Sequence, residues 1–178
     1  MDRLEKFNPA ALPKEFVRSM GGKSDDSAGS KKFLLPGQMF TSREATTVTT
    51  ILGSCVAVCL WSPAKGIGGM NHYLLPEGET TEANRFRYGS NANPALLQEL
   101  LSLGCLVTDL RAKVFGGATI MASADPGQSL GKRNMDLALE FLKTNRIVIA
   151  EKHVSEQRGC KLIFRTNDGS AQLRTFDE

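Results

Sequence analysis

The sequence lacks the long apolar segments that membrane and secreted proteins carry. Its longest uninterrupted apolar run, from Cys55 to Trp61, has seven residues, whereas ~20 are needed to span a bilayer. The residues after Met1 do not form the apolar core of a secretion signal. We therefore expect a cytoplasmic protein. In its reducing surroundings the four cysteines should remain free thiols. They are Cys55, Cys59, Cys105 and Cys160.

The sequence also lacks a marked excess of positive or negative charge. The net charge is +3, and residues 1–32 hold seven Lys/Arg and five Asp/Glu, which leaves 15 against 14 in the rest of the chain. No block of five or more like charges occurs. Because nucleic-acid binding requires a basic patch or arm, this composition argues against a nucleic-acid partner.

Residues that would bind a metal or a nucleotide are few as well. Two cysteines, Cys55 and Cys59, lie four positions apart, which corresponds to ~13 Å along a strand and is too far to ligate one ion. No second Cys/His pair completes a set of four ligands. The glycines of Lys113–Ala118 lack the lysine–serine pair of a phosphate-binding loop, so we expect a close-packed strand end there. We predict neither a metal nor a cofactor.

The chain divides into two parts by composition. Twelve residues, Gly21–Lys32, include only one apolar side chain, Ala28. Such a segment cannot bury enough apolar surface to offset its ordering entropy. We therefore expect a flexible leader over residues 1–34 and a single domain over residues 35–178.

The domain shows strand patterns near both of its ends and two helices between them. The predicted helices begin at Asn93 and at about Asn134, and the turn Asn167–Gly169 predicts a hairpin between the last two strands. Such an order is typical of an α+β fold, in which helices pack on a mostly antiparallel sheet in a layered sandwich. The predicted strands are Val48–Leu52, Val56–Trp61, Ile67–Leu75, Leu106–Phe115, Ile147–Ala150, Lys161–Arg165 and Ala171–Phe176.

A cysteine and a histidine stand out as candidate catalytic residues. Cys55 follows the permissive turn Gly53–Ser54, whose N–H groups are candidates to hold an oxyanion. If the flanking strands pair as an antiparallel hairpin, His72 meets Cys55 at its open end. An imidazole in that position would lower the pKa of the thiol.

The imidazole needs a third group to orient it. Thr49 is the first candidate, because it precedes Cys55 by an even number of residues, and Thr50 is the adjacent alternative. Two non-catalytic interpretations remain open: Cys55 is a small buried core residue, and His72 is a hydrogen-bonded core histidine. Gly131–Asn134, ahead of the second helix, fits either an anion site or a plain helix cap.

Several motifs in this order resemble the CheD family, the chemoreceptor glutamine deamidases of bacterial chemotaxis. The likeness runs from about residue 35 to residue 175. The motifs are Leu35–Gly37, Leu52–Leu60 (Leu-Gly-Ser-Cys-Val-Ala-Val-Cys-Leu), Gly68–Pro76 (Gly-Gly-Met-Asn-His-Tyr-Leu-Leu-Pro), Arg87–Gly89, Ala112–Ala118 and Arg133–Asn134.

The resemblance implies a fold, a site and an activity. The fold is an α/β sandwich similar to the catalytic domain of deamidating bacterial toxins. The site is a Cys-His-Thr triad with Cys55 as nucleophile, His72 as base and Thr49, or the adjacent Thr50, as the third member. The implied substrates are glutamine side chains on the cytoplasmic helices of chemoreceptors. A CheC-type phosphatase is an implied partner.

The segment His153–Cys160 departs from the usual pattern of the family, because it lacks a glycine pair and has Cys160 at about the place of an arginine. This departure motivates one alternative, a non-catalytic module that regulates a phosphatase or a receptor. A second alternative is another cysteine hydrolase, such as a peptidase or an amidase.

Overall fold

The structure is a computed structural model that describes residues 29–119, 129–155 and 159–176. These residues form nine strands, two α-helices and two short 3-10 turns at Glu82–Asn84 and Val107–Asp109. The strands are β1 (Ser30–Phe33), β2 (Gln38–Ser42), β3 (Thr46–Leu52), β4 (Val56–Ser62), β5 (Ile67–His72), β6 (Arg111–Gly116), β7 (Val148–Val154), β8 (Cys160–Arg165) and β9 (Ala171–Thr175). The helices are α1 (Gly89–Ser102) and α2 (Leu130–Thr144).

The strands form two sheets. The small sheet has the order β1-β3-β8-β9 and the large sheet has the order β2-β5-β4-β6-β7. Two pairs, β1–β3 and β6–β7, are parallel, and the other pairs are antiparallel. Both helices pack against the large sheet. The fold is therefore the α+β layered sandwich that the sequence predicted.

The central strand β4 shows how the three layers are held together. All seven of its residues are buried. Val56, Val58 and Leu60 belong to the core under the helices, whereas Ala57 and Cys59 belong to the core between the two sheets. Because successive side chains of a strand point to opposite faces, a strand that is covered on both faces has a continuous apolar sequence.

Among the described residues, strand β3 faces a core on one side only. Thr46, Val48, Thr50 and Leu52 are buried, and the residues between them are half-buried. Two of these buried residues, Val48 and Leu52, belong to the core between the sheets. Thr50 therefore points toward the large sheet, while Thr49 points away from it.

The domain begins earlier than the sequence predicted. Ser30–Phe33, in the expected leader of residues 1–34, form strand β1 and pair in parallel with β3. Leu34 is only 1% exposed. Pairing with β3 supplies backbone partners that the composition of this segment does not reveal. The rest of the predicted leader, residues 1–28, lies outside the described residues.

Both helices also begin before their predicted first residues. Helix α1 starts at Gly89, and Asn93 is a buried residue that accepts a hydrogen bond from Asn71 rather than an N-cap. Helix α2 starts at Leu130 because the Ser129 hydroxyl caps it by accepting from the Lys132 N–H. Gly131–Asn134, for which the sequence left an anion site and a helix cap open, therefore lie inside the helix, and the cap is Ser129 ahead of them.

The end of β6 packs directly on the segment that carries Cys55. Gly116 has φ +112°, and a Cβ at this position would lie 2.2 Å from the Cys55 carbonyl oxygen. Gly117 also has a positive φ, and its N–H donates to that same oxygen at 2.9 Å. This arrangement confirms the close-packed strand end and leaves no room for a side chain beside Cys55.

We expect Gly116→Ala to lower the free energy of unfolding more than Gly104→Ala does. Both glycines have a positive φ, but a Cβ at Gly104 has no atom within 4 Å. The comparison therefore isolates the steric clash with Cys55, for which we expect at least about 2 kcal/mol in urea denaturation. Equal destabilisation of the two variants would contradict this packing.

Candidate active site

The segment that carries Cys55 crosses from one sheet to the other. Residues 53–55 leave β3 of the small sheet and enter β4 of the large sheet. Choosing Thr49 for its even separation from Cys55 assumes that these strands are neighbours in one sheet, and this assumption is wrong because they do not pair. Consequently, counting an even number of residues from Thr49 to Cys55 does not place the two side chains on one face.

The predicted antiparallel pairing of β4 with β5 is confirmed. Cys59 pairs with Met70, and beyond the ends of the ladder Val56 pairs with Tyr73. In this register His72 lies across from Ala57, two positions along the chain from Cys55. The cysteine and the histidine are therefore diagonal cross-strand neighbours. The sequence analysis had expected them directly opposite each other.

Thr50, and not Thr49, contacts the histidine. The Thr50 Oγ1 lies 2.7 Å from His72 Nδ1, and both side chains are buried. Thr49, the first candidate from the sequence, lies on the other face of β3. The correction follows from the crossing between sheets, because the buried face of β3 is the one that meets β5 across the core.

The hydrogen bonds of Thr50 determine which nitrogen of His72 carries the proton. Thr50 Oγ1 donates its single proton to the Leu34 carbonyl oxygen at 2.7 Å. It must therefore accept from His72, so Nδ1 carries the hydrogen and Nε2 has a free lone pair in the neutral ring. Nε2 is buried and has no hydrogen-bond partner among the described residues. The ring is arranged to take up a proton at Nε2.

Burial keeps both the thiol and the imidazole uncharged. It lowers the pKa of His72 to about 4 and raises the pKa of Cys55 to about 11, an effect that the N–H of Cys55 partly offsets. The sequence analysis expected the imidazole to lower the pKa of the thiol, and the structure shows the opposite shift. The reason is that desolvation disfavours a thiolate and an imidazolium alike. The thiol must lose its proton during attack.

The carbonyl groups of the crossing segment are all held by donors. The Gly53 oxygen accepts from the Ala118 N–H at 2.9 Å, and the Cys55 oxygen accepts from the Gly117 N–H at 2.9 Å. The Ser54 oxygen accepts from Asn134 Nδ2 at 3.0 Å. In contrast, no backbone hydrogen bond within the described ranges uses the N–H of Ser54 or Cys55. The oxyanion role of Gly53 and Ser54 stays a prediction. The absence of a backbone acceptor for the N–H groups of Ser54 and Cys55 is consistent with it.

Asn134 lies in two segments that the sequence singled out, Gly131–Asn134 and the motif Arg133–Asn134, but its contact with the cysteine segment was not predicted. It is fully buried, and its Nδ2 donates to the carbonyl oxygens of both Ser54 and Leu74, at 3.0 and 2.8 Å. The available signal was its position: Asn134 precedes the buried residues Ala138 and Leu142 at four-residue spacing. A polar residue on the apolar face of a helix is typical of a buried hydrogen-bonding role.

A tyrosine ties Asn134 to the strand that carries His72. The buried Tyr73 hydroxyl donates to the Asn134 carbonyl oxygen at 2.5 Å. Burial raises the pKa of this tyrosine, and a negative charge on Cys55 would raise it further. Helix α2 is therefore anchored beside Cys55 by contacts to the crossing segment and to the residues that follow β5.

The described residues contain neither a metal-binding cluster nor a membrane-spanning helix. No group of three or more His, Cys, Asp or Glu residues is placed to hold a metal ion there. None of the helices in the described ranges combines the length and the apolarity that crossing a bilayer requires.

The geometry first defines the class, an α+β sandwich in which a threonine of one sheet is hydrogen-bonded to a histidine of the other. In the β4–β5 register a cysteine lies diagonally across from that histidine, where the chain crosses between the sheets. Comparison with known proteins then gives the family. The family model described as CheD chemotactic sensory transduction matches residues 74–175, more than half of the chain. The chain belongs to the CheD family.

Curated relatives extend this likeness over most of the chain. "Probable chemoreceptor glutamine deamidase CheD 1" of Anaeromyxobacter dehalogenans is 38% identical over 92% of this chain and 95% of its own length. "Probable chemoreceptor glutamine deamidase CheD" of Trichlorobacter lovleyi is 40% identical over 84% of this chain and 92% of its own length. Among solved structures, Neisseria meningitidis protein NMB0706 is 11% identical with a TM-score of 0.43, over 84% of this chain and 72% of that one.

Replacing the threonine that contacts His72 should impair the site, whereas replacing its neighbour should not. Thr50→Val keeps the volume but removes the acceptor for the Nδ1 hydrogen, so the proton is no longer confined to that nitrogen. We expect a loss of activity of about tenfold or more and a changed tautomer of His72 in ¹⁵N NMR spectra. The matched variant Thr49→Val should change neither, and an equal effect of both variants would contradict the assignment.

The raised pKa of Cys55 predicts slow alkylation at neutral pH. Because the thiol is protonated below about pH 11, iodoacetamide should modify Cys55 more slowly at pH 7.5 than it modifies the thiol of an unstructured peptide. The rate should rise up to about that pH, as peptide mapping by mass spectrometry would show. An apparent pKa below that of the peptide thiol would instead indicate a preformed thiolate.

Proposed function

We propose that the protein is a cytoplasmic protein-glutamine deamidase that hydrolyses glutamine side chains of chemoreceptors to glutamate and releases ammonia. The observation that carries the proposal is the hydrogen-bonded chain from Leu34 through Thr50 to His72, which leaves Nε2 free to accept a proton. Nε2 is the one basic ring nitrogen, and its ring lies beside Cys55 in the β4–β5 register. The names of the curated relatives supply the substrate.

The first half of the reaction forms a thioester. The sulfur of Cys55 attacks the carboxamide carbon while its proton moves to His72 Nε2. The N–H groups of Ser54 and Cys55 hold the oxyanion that forms. Nε2 then gives its proton to the amide nitrogen, the C–N bond breaks, and ammonia leaves. Thr50 keeps accepting from Nδ1 throughout, so the ring stays in place.

The second half of the reaction removes the acyl group. Nε2 takes a proton from a water molecule, and the hydroxide formed attacks the thioester carbon. When the C–S bond breaks, the proton on Nε2 returns to the sulfur of Cys55 and glutamate is released. No cofactor is required in either half of the reaction.

The lowered pKa of His72 affects both proton transfers of the reaction, the one to Nε2 and the one from it. An imidazole whose pKa is about 4 is uncharged at neutral pH and can act as a base. Once protonated inside the core it is a stronger acid than an ordinary imidazolium, and it therefore donates more readily to the leaving nitrogen. Burial thus weakens the base but strengthens the acid.

The partners follow from the family. The curated relatives are named for chemoreceptor glutamine deamidation, and we take the cytoplasmic helices of chemoreceptors as the substrate of this chain also. A CheC-type phosphatase stays a prediction from the resemblance, because no contact among the described residues bears on it.

The test is mass spectrometry of a chemoreceptor fragment incubated with the protein. The wild-type protein should convert specific glutamines to glutamate, with one ammonia released for each, and Cys55→Ala should abolish the conversion because it lacks the nucleophile. Cys105→Ala is the matched control, since Cys105 is a buried thiol of the core under the helices. It should retain the activity.

Other outcomes would overturn the proposal. Identical unmodified peptides with wild type and with Cys55→Ala would show that the protein does not deamidate this substrate. Cleavage of the peptide backbone would identify another cysteine hydrolase. Receptor signalling that is restored by Cys55→Ala as well as by wild type would identify a regulatory module.

A further inference from the structure

The hydrogen bonds of Asn134 have a consequence for the direction in which the N–H group of Cys55 points. Asn134 Nδ2 has two hydrogens, and the Ser54 and Leu74 carbonyl oxygens accept one each. Two acceptors on the same atom identify it as the amide nitrogen and fix the orientation of the amide. The side chain is fully buried, so this contact is not exchanged for one with bulk water.

The Ser54 carbonyl and the Cys55 N–H belong to the same peptide unit. No cis peptide bond occurs in the described residues, and in a trans unit the C=O and the N–H point in opposite directions. A donor that holds the Ser54 oxygen on one side therefore turns the Cys55 N–H toward the other side. That N–H lies close enough to the Cys55 sulfur to influence its pKa.

The same segment has a second fixed peptide unit. The Gly53 oxygen is held by the Ala118 N–H, which directs the Ser54 N–H in the same manner. The difference is that a backbone donor holds Gly53 and a side chain holds Ser54. The contact of Asn134 with Ser54 can therefore be removed by changing a side chain, without altering the backbone.

We propose that Asn134 is a positioning residue for catalysis: it holds the Ser54 carbonyl so that the Cys55 N–H is aimed at the oxyanion of the reaction. The inference rests on the proposed deamidase function and adds a residue to it. Asn134 does not touch the reacting atoms in this scheme and acts through the peptide unit between Ser54 and Cys55. Its second contact, to Leu74, keeps the amide in place.

The test separates stabilisation of the oxyanion from the reactivity of the thiol. In Asn134→Ala the Cys55 N–H loses its fixed direction, and we expect kcat for a glutamine peptide to fall roughly 100-fold, the order found when an oxyanion donor is lost. We expect KM to stay within about twofold and the rate of Cys55 alkylation by iodoacetamide to fall far less than kcat, because alkylation forms no oxyanion and the Cys55 N–H only partly offsets the effect of burial on the thiol pKa. If Asn134→Ala does not fold, Asn134→Leu fills the volume without a donor and should show the same pattern.

Asn145→Ala is the matched control. Asn145 follows the same helix, and its Nδ2 donates to the Phe141 carbonyl at 2.8 Å, away from Cys55. It should leave kcat, KM and alkylation unchanged. A parallel fall of kcat and alkylation in Asn134→Ala, a rise in KM alone, or no change would each overturn the inference. A wild-type protein that releases no ammonia would overturn the proposed function itself, and the inference with it.

Discussion

The hydrogen bond between Thr50 and His72 is the contact on which the site depends, because it joins the two sheets at the point where the chain crosses between them. Thr50 belongs to β3 of the small sheet and His72 to β5 of the large sheet. Neither sheet alone contains the arrangement. The core that holds the sheets together is therefore also what holds the imidazole in one tautomer, so packing and chemistry have the same physical origin.

Much of the fold and part of the site could be predicted from the sequence. The continuous apolar run of β4 and the antiparallel pairing of β4 with β5 follow from local patterns, and they place Cys55 near His72. The choice between Thr49 and Thr50 does not, because it depends on which face of β3 meets the other sheet. The contact of Asn134 with Ser54 spans 80 residues, and no local pattern encodes a contact between such distant segments.

The pKa shifts also show a limit of reasoning from residue types. A cysteine near a histidine predicts an ion pair when both are considered in water, whereas here His72 is buried and Cys55 is partly buried against the core, which disfavours either charge. The resting site is consequently neutral. Partial burial of this kind slows the reaction of the thiol with general electrophiles at neutral pH, because little of it is thiolate.

The Leu34 carbonyl gives the first strand of the domain a part in the chemistry. It accepts a hydrogen bond from the Thr50 hydroxyl. Leu34 directly follows β1, which pairs in parallel with β3 in the small sheet. If β1 were displaced from β3, the Thr50 hydroxyl would be free to rotate and donate to His72, and Nε2 would then carry the hydrogen. The backbone oxygen of Leu34 thus helps to decide which ring nitrogen of His72 is left as the base.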